Sequence, residues 1–465
     1  MRSRSLVILA LVVIGLGAWI YFHERHLPTT EERRQHADSL FPDLDRDDVA
    51  GLEIRNQHGT FRIAKRGDSW RLIEPIDFPA DESSVSSLLG SLEGLKAERT
   101  LSESDVDPKA YGLDRPSIAV TLSTAEGKTS SLEVGDEAAL GSNRAVRRNG
   151  EASVILVGGW FVRDLDKPLD GWRSRDLVEV TDSDVASLTV LAGSDRIELV
   201  RQGESWRLLQ PLDDIADQEH ARNLIADLDA LRIEEFLDAP PPAAELGLEP
   251  PATTVSILRS SGGEPIKLEF GASRERDGRT QIACRRNAAD LFWVDNRAAT
   301  RLAKAPVRWR SIKVAAFDTW DAERLTIAAG GASVALERRE GMWTAPEGGG
   351  EVEYGAVQDR LAALAALEAI DFDLVEPANP PAGTVELELK APGDGAEPRR
   401  LTFSFHRPLV EGGAALVRVS GRPTVMSVAA AQVEQILADP AGLVRPAAED
   451  GSEAGADPAP PPASP

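Results

Sequence analysis

The sequence is poor in the residues that support redox, disulfide or metal chemistry. It contains one cysteine, Cys284, and six histidines among 465 residues. A single cysteine excludes an intramolecular disulfide framework. Only His23 and His26 lie close together in the sequence, whereas a zinc site needs three or four convergent ligands. We therefore expect no metal site and no cofactor.

Short catalytic motifs are also missing. The chain has no G-x-S-x-G elbow, no H-E-x-x-H, no P-loop and no Rossmann fingerprint. The acidic run 43–48 begins like a calcium loop, but Asp48 stands where such a loop needs Gly and Ile54 where it needs Glu. We interpret this run as a solvated turn. We assign no catalytic, cofactor-binding or metal-binding residue and predict that the protein is not an enzyme; an envelope hydrolase is the least favoured alternative.

Positive charge is too scarce for a nucleic-acid partner. The formal net charge is −24, and phosphate repulsion removes the term that dominates nucleic-acid binding. We interpret the acidity as a source of solubility. Among the basic residues, the pair Arg285-Arg286 lies in a strand pattern, where it either faces a partner or discourages edge pairing.

Long uncharged apolar runs are absent except at the N-terminus. Residues 6–22, from Leu6 to Phe22, read LVILALVVIGLGAWIYF and follow a flank that contains Arg2 and Arg4. A helix of this length spans about 25 Å, near the lower limit for crossing a bilayer. No small-x-small site precedes the charged stretch 23–26, so we predict an uncleaved single-pass anchor, with a cleaved signal peptide as the alternative. The basic flank predicts that the N-terminus lies on the cytoplasmic side of the inner membrane. The bulk of the chain then lies in the periplasm or another extracytoplasmic space.

The chain repeats itself, and this repeat defines its organisation. Residues 67–72 (GDSWRL) recur as 203–208 (GESWRL), so that Trp70 and Trp206 lie 136 residues apart (206 − 70). Nearly the same offset relates further segments of the two copies: 48–52 to 184–188, 112–116 to 247–251, 132–135 to 268–271 and 172–174 to 309–311. A divergent third copy follows around Trp343, as is common for the terminal unit of an array.

Each copy predicts strands, one helix and further strands. Apolar residues alternate on both sides of residues 56–59, which indicates a hairpin. An amphipathic helix is indicated by five apolar residues with helical spacing: Val85, Leu88, Leu89, Leu92 and Leu95. The predicted fold class is α+β, a tandem array of three units, each a largely antiparallel sheet with one main helix. The predicted segments are an anchor (1–26), a linker (27–46), repeat units 47–180, 181–316 and 317–445, and a disordered Pro/Ala/acidic tail (446–465).

Recurring tryptophans are the most conspicuous candidates for a binding surface. Trp70, Trp206 and Trp343 share one position of the repeat, and Trp172 and Trp309 share another. An exposed aromatic platform for a glycan or peptide is one interpretation. We prefer burial in each unit's core, because repeats preserve their cores before their sites. Cys284 aligns with Val146, which indicates a small buried residue on a strand.

Four features carry a resemblance to a known family: the opening strands, the Gly-x-x-Trp-x-Leu stretch, the Leu-rich helix and above all the turn Tyr111-Gly112-Leu113-Asp114-x-Pro116. With them the chain resembles a bacterial family, the domain of unknown function 4340. The resemblance covers residues 47–314 well and 320–445 loosely; the second copy has Leu246 in place of the tyrosine. It implies a short membrane anchor and genes that often lie beside ABC-exporter components of the gliding-motility type. It implies an accessory role in the envelope, and it supplies no activity and no site residues.

Two functional hypotheses therefore remain besides catalysis. The first is a non-enzymatic, membrane-tethered extracytoplasmic scaffold that serves an ABC-type exporter or another envelope complex. The second is a periplasmic module that holds a polymer or peptide in clefts between its repeat units.

Overall fold

A computed structural model describes residues 39–102, 106–138, 142–346, 350–391, 397–407 and 413–446. The predicted anchor Leu6–Phe22 and the predicted tail lie outside these residues, apart from Pro446 at the start of the tail. Within the described ranges, no helix is long and apolar enough to cross a membrane. The described residues form two compact units, which are divided between Arg175 and Asp176.

The first unit contains repeat 1, a nine-stranded sheet with the order β4-β3-β2-β1-β6-β7-β8-β9-β5. Its strands are β1 (Val49–Asn56), β2 (Gly59–Arg66), β3 (Ser69–Glu74), β4 (Phe78–Pro79), β5 (Ala97–Leu101), β6 (Ile118–Thr124), β7 (Thr129–Glu137), β8 (Asn143–Arg148) and β9 (Val154–Gly158). Its helices are α1 (Glu82–Glu93) and the short α2 (Val162–Leu165).

The second unit contains repeats 2 and 3. Repeat 2 comprises β10 (Val185–Ala192), β11 (Asp195–Gln202), β12 (Ser205–Gln210), β13 (Asp214–Ile215), α3 (Gln218–Asp229), β14 (Ile233–Phe236), β15 (Thr253–Arg259), β16 (Ile266–Arg276), β17 (Arg279–Arg286), β18 (Asp290–Asp295) and α4 (Ala299–Leu302). Repeat 3 comprises β19 (Ala322–Ala329), β20 (Ala332–Arg339), β21 (Met342–Thr344), β22 (Gly350–Val352), α5 (Tyr354–Ala365), β23 (Ala369–Leu374), β24 (Gly383–Leu389), β25 (Arg399–His406), β26 (Ala415–Val419), β27 (Val425–Val428), α6 (Ala430–Leu437) and β28 (Val444–Pro446).

The three sheets share one topology. Repeat 2 has the order β13-β12-β11-β10-β15-β16-β17-β18-β14, which matches repeat 1 strand for strand. The described part of repeat 3 has an eight-stranded sheet in the order β21-β20-β19-β24-β25-β26-β27-β23, and the strand before its main helix, β22, pairs with β28 in a separate two-stranded sheet. The pairings of the first two hairpin strands are antiparallel in all three repeats. The predicted antiparallel sheets with few helices are thus confirmed.

One main helix packs on each sheet through the predicted apolar stripe. In repeat 1 the five stripe residues are all buried: Val85, Leu88, Leu89, Leu92 and Leu95. Asp81 begins the helix because its carboxylate accepts a hydrogen bond from Ser84 N (2.7 Å). Asp217 caps α3 in the same way, through His220 N (3.0 Å). Local periodicity and capping therefore specify this element without help from distant residues.

Residues 39–41, which lie in the predicted linker 27–46, contact repeat 1. Ser39 forms a bridge with Lys96, and Leu40 N donates to Leu95 O (2.8 Å) at the end of α1. Leu40 and Phe41 are buried in the core of this repeat. Burial of these two side chains compensates for the ordering of the segment, so residues 39–41 pack as part of repeat 1.

Corresponding segments precede the first strand of each repeat, and we call residues 39–48, 176–184 and 311–321 the lead-in segments of repeats 1, 2 and 3. Leu177 N donates to Leu231 O (3.3 Å), just after helix α3 of repeat 2. Val314 N donates to Leu367 O (2.9 Å), just after helix α5 of repeat 3. Leu177 and Val314 are fully buried. Leu177 and Val314, which precede the predicted boundaries at 181 and 317, thus contact the repeat that follows them.

Candidate functional site

The Gly-Leu turn in the sequence signature is held by an ion pair rather than exposed as a site. In repeat 1, Glu133 accepts a hydrogen bond from the guanidinium of Arg147 (2.5 Å), and Arg147 also donates to Leu113 O (3.1 Å). Gly112 has a φ of 70°, a conformation that glycine adopts without strain. A Cβ on Gly135 would lie 2.1 Å from Tyr111 O, so the strand approaches the turn too closely for any side chain.

Repeat 2 reproduces this arrangement. Arg285 donates to Glu269 (2.5 Å) and to Leu248 O (3.5 Å), and a Cβ on Gly271 would lie 2.2 Å from Leu246 O. Burial opposes ionisation of Glu269, but hydrogen bonds from Arg285 and Lys267 lower its pKa. The first arginine of each pair thus binds the Gly-Leu turn of its own repeat, which answers the question of what these side chains face.

The recurring tryptophans are core residues, as predicted, except for the half-buried Trp70. Trp172 Nε1 donates to Lys167 O and Trp309 Nε1 donates to Lys304 O, each over 3.3 Å. Equal hydrogen bonds in two repeats indicate an equal structural role. These residues therefore offer no aromatic platform.

The remaining sequence candidates lie in separate places. Cys284 is buried on β17, and burial raises the pKa of its thiol, which opposes formation of a nucleophilic thiolate. In the acidic run, Asp47 N donates to Asp45 Oδ1 (2.9 Å), which confirms the predicted turn. Within the described residues, no group of three or more His, Cys, Asp or Glu side chains is placed to hold a metal ion.

A buried charge cluster joins repeats 2 and 3. Asp214 lies on β13 and is 0% exposed. Its Oδ2 lies 2.6 Å from Arg310 Nε, and its Oδ1 lies 2.6 Å from Arg422 Nε. Burial lowers the pKa of Arg422, and the charge of Asp214 opposes this effect. One carboxylate thus lies between two buried cations, of which Arg310 also pairs with Asp373.

The same arginines also bind groups of repeat 3. Arg310 donates to Asp373 Oδ1 (2.7 Å) and to Thr424 Oγ1 (2.8 Å), and its guanidinium lies 4.4 Å from the Phe372 ring centroid. Arg422 donates to two main-chain carbonyls at the start of repeat 3, Ser311 O (3.1 Å) and Lys313 O (2.7 Å). We call this set the Asp214 junction. Because its bonds are directional and buried, it fixes the geometry between the two repeats.

An open groove of about 660 Å³ borders this junction. Its repeat 2 wall includes Trp206, Arg207 and Asp217, and its repeat 3 wall includes Lys313 and Arg399. The lead-in segment contributes Ile312, which is 46% exposed. Lys313 and Arg399 have no carboxylate oxygen within 4.0 Å among the residues that the structure describes, although Glu219 and Glu368 also line the groove. Mixed charge beside exposed apolar surface is typical of polypeptide recognition.

A larger open depression of about 930 Å³ lies in the first unit, between the lead-in segment and the β6–β7 hairpin. Asp43, Asp45, Asp47 and Asp48 border it, together with Lys65. Its lining residues all belong to repeat 1, whereas the groove lies where two repeats meet. We therefore regard the groove beside the Asp214 junction as the better candidate site.

Comparison with known proteins defines the class to which this architecture belongs. A family described as "Domain of unknown function (DUF4340)" matches residues 70–245 and 238–392. The chain therefore belongs to this family. No curated protein shows a significant match.

Sequence reasoning missed both the Asp214 junction and the groove. Asp214 is one of 76 acidic residues, and its counterpart in repeat 1 is Phe78, so no recurrence pointed to it. Arg310 could have been identified from the sequence, because the motif Trp172-Arg173-Ser174 recurs as Trp309-Arg310-Ser311. The available signal was thus one buried arginine at a repeated position, without its partner.

Proposed function

We propose that this protein is a non-enzymatic scaffold held at the outer face of the cytoplasmic membrane by residues Leu6–Phe22. Its repeats bind a protein partner, which we expect to be part of an ABC-type exporter or another envelope complex. The observation that carries this proposal is the Asp214 junction, because it holds two repeats in one geometry and keeps the adjacent groove preformed. A preformed surface lowers the entropy cost of binding a partner.

The absence of a convergent chemical constellation in the described residues also favours binding over catalysis. The recurring polar residues, such as Glu133, Arg147, Glu269 and Arg285, are engaged in structural bonds within their repeats. Lys313 and Arg399 line the groove without a carboxylate oxygen within 4.0 Å among the described residues, so they are available to a partner.

Purification of the tagged full chain in mild detergent tests the proposal. We expect stoichiometric recovery of a membrane protein complex, and we expect the double variant Lys313→Glu/Arg399→Glu to lose it. The variant Lys128→Glu/Arg163→Glu makes the same charge change at exposed positions of repeat 1 and serves as the control. Recovery of the chain alone, or a complex that both variants retain equally, would count against the groove as the binding surface.

A second candidate function is supported by the groove itself: retention of an extended polymer or peptide rather than of a folded complex. Its mixed-charge walls and its open shape suit such a ligand. Binding of unfolded polypeptide by the purified chain, with no membrane complex recovered, would favour this candidate over the scaffold.

A further inference from the structure

A small open pocket with four arginines borders the Asp214 junction. Its volume is about 310 Å³, and its lining includes Arg207 from repeat 2 and Arg399, Arg400 and Arg422 from repeat 3. No Asp or Glu is among the described residues that line it, although the whole chain carries a net charge of −24. We call this cavity the arginine pocket. Its cations attract an anion locally, against the repulsion of the acidic chain as a whole.

A substitution at one buried position of repeat 3 explains why this space is open. Strand register places Val419 where repeats 1 and 2 have Arg148 and Arg286. In those repeats the guanidinium reaches a main-chain carbonyl of the lead-in segment: Arg148 donates to Leu40 O (2.8 Å), and Arg286 donates to Leu177 O (2.9 Å). Valine is too short to cross this distance, so a pocket remains between β26 and the lead-in segment of repeat 3.

Arg422 takes over the contact with the lead-in segment of repeat 3. It donates to Lys313 O (2.7 Å) and to Ser311 O (3.1 Å), and it pairs with Asp214. These bonds hold the guanidinium inside the protein, where the residue is 4% exposed. Arg422 therefore supplies positive charge to the pocket, and direct contact with a ligand falls to the other three arginines.

Two of these arginines have donors that the described residues do not use. Arg399 Nη1 donates to Ala316 O (2.9 Å), and no carboxylate oxygen of the described chain lies within 4.0 Å of this guanidinium. Arg207 Nε pairs with Asp213 Oδ1 (2.5 Å). A guanidinium has five N–H donors, so each of these arginines can bind a further acceptor.

A third arginine and a hydroxyl complete the rim of the pocket. Arg400 Nε donates to Glu388 Oε2 (3.0 Å), and the arginine side chain is 78% exposed. Ser420 Oγ accepts a hydrogen bond from Thr402 N (2.9 Å), which leaves the hydroxyl proton for another acceptor. The rim thus presents donors from three arginines and one serine.

These donors indicate an oxyanion as the ligand, and the shape of the surface indicates one that belongs to a polymer. Guanidinium groups bind carboxylates through paired, charge-assisted hydrogen bonds. The arginine pocket shares Arg207, Ile215 and Arg399 with the groove of about 660 Å³, so the two cavities are continuous. A free ion would fill only the pocket, whereas an acidic polypeptide can place a carboxylate in the pocket and its main chain in the groove.

We propose that the arginine pocket binds an Asp or Glu side chain from an extended acidic segment of the partner protein. The carboxylate accepts hydrogen bonds from Arg399, Arg400 and the Ser420 hydroxyl. The segment continues along the groove past Ile312, which is 46% exposed. This mode of recognition rests on the proposed function, because it uses the same groove, and a peptide tests it separately from the membrane complex.

The direct test measures binding of a synthetic acidic peptide to the full chain in neutral detergent micelles. The probe is a decapeptide of alternating glutamate and alanine with a neutral fluorophore, and binding is followed by fluorescence anisotropy. The ionic strength is about 0.1 M, so that charges more than about 10 Å apart are screened. We expect saturable binding that falls at least tenfold when glutamine replaces glutamate. No saturable binding up to about 1 mM overturns the proposal.

Matched variants locate the binding in the arginine pocket. Arg399→Gln/Arg400→Gln removes two exposed guanidinium groups, and we expect it to weaken peptide binding at least tenfold. Lys128→Gln/Arg163→Gln makes the same charge change at side chains of repeat 1 that are 79% and 88% exposed, and it should leave binding unchanged. Equal binding by the two variants overturns the proposal. Unfolding curves verify that each variant is folded, and Ser420→Ala, which removes a single donor, should weaken binding about threefold.

The chain's own carboxylates are the first alternative occupants. The tail, residues 447–465, has four acidic residues and no lysine or arginine, and Asp394 precedes Arg399 by five positions; both lie outside the described residues. A chain that ends at Pro446 and the variant Asp394→Asn should each bind the peptide as the parent protein does. A tenfold gain in either would show that the chain's own carboxylate occupies the pocket and would overturn its assignment to a partner.

A phosphate group is the other alternative. Displacement of the peptide by about 1 mM inorganic phosphate, at constant ionic strength, would assign the pocket to phosphate and overturn the choice of a carboxylate.

Recovery of the membrane complex gives a separate result. Peptide binding without a recovered complex would support the arginine pocket and contradict the scaffold. A complex that Arg399→Gln/Arg400→Gln retains, together with a parent chain that does not bind the peptide, would overturn the arginine pocket alone.

Discussion

Arg422 Nε lies 2.6 Å from Asp214 Oδ1, although the two residues are 208 positions apart in the sequence. The contact crosses from β13 of repeat 2 to the turn after β26 in repeat 3. It is closed from the other side by Arg310, whose Nε lies 2.6 Å from Asp214 Oδ2. The buried carboxylate of Asp214 on β13 thus binds Arg310 at the end of repeat 2 and Arg422 in repeat 3.

Replacement of Asp214 by asparagine should destabilise the second unit by about 3–5 kcal/mol, because the buried guanidinium of Arg422 loses its carboxylate partner and Arg310 keeps only Asp373. Asp213→Asn is the matched control. Asp213 pairs with Arg207 (2.5 Å) but is 61% exposed in its side chain, so we expect a loss of at most about 1 kcal/mol.

Chemical denaturation of the full chain, followed by tryptophan fluorescence, measures the difference. Hydrogen exchange then localises it: faster exchange should appear at Lys313 and its neighbours, whose carbonyls Arg422 binds. Equal unfolding curves for Asp214→Asn and Asp213→Asn would show that the junction does not fix the repeats.

The fold was largely predictable, because its signals are local. The helical spacing of Leu88 and Leu92, the alternation around residues 56–59 and the 136-residue recurrence of Trp70 each depend on a few neighbouring residues. Long-range partners were not predictable. The lead-in segment at Leu40 looked like a linker because its hydrogen-bond partner, Leu95, lies outside any local window.

The candidate sites escaped prediction for a different reason. Recurrence identified residues that every repeat needs, and these proved to be structural, such as Arg147 and Trp172. A site used in one place only is marked by a departure from the repeat. Asp214 in place of Phe78 is such a departure, and its meaning required the positions of Arg310 and Arg422.

Alanine at Gly271 should destabilise repeat 2 by about 3 kcal/mol, because its Cβ would lie 2.2 Å from Leu246 O and the turn would have to move away from β16. Gly355→Ala is a control with the opposite expected sign. Gly355 lies exposed in the first turn of α5 with open space around its added Cβ, and alanine there should stabilise by up to about 1 kcal/mol.

Thermal and chemical unfolding of both variants tests this pair. A Gly271→Ala variant as stable as the parent protein would mean that the Gly-Leu turn tolerates displacement. The family signature would then need an explanation other than close packing.

Stability should depend on pH through His220. Its Nδ1 lies 2.9 Å from Lys304 Nζ and its ring packs edge-on against Trp309, with centroids 4.4 Å apart. Burial, and then the charge of Lys304, lowers the pKa of His220 to about 4 from an ordinary value of 6.5; Arg301 acts in the same direction, whereas Asp217 and Asp227 oppose it.

The sign of the effect follows from proton uptake. Above pH 6.5 neither the folded nor the unfolded chain protonates this residue, so it does not affect stability. As the pH falls from 6.5 towards 4, only the unfolded chain gains the proton, and stability decreases by up to about 3 kcal/mol.

His220→Ser introduces the residue that repeat 1 has at this position, Ser84, and should remove this dependence. The readout is the difference in unfolding free energy between the two proteins at pH 7.5, 6, 5 and 4.5, in which carboxylates common to both cancel. We expect the parent protein to lose stability more steeply than the variant between pH 6.5 and 5, and parallel curves would show that His220 is protonated equally in the folded and unfolded states.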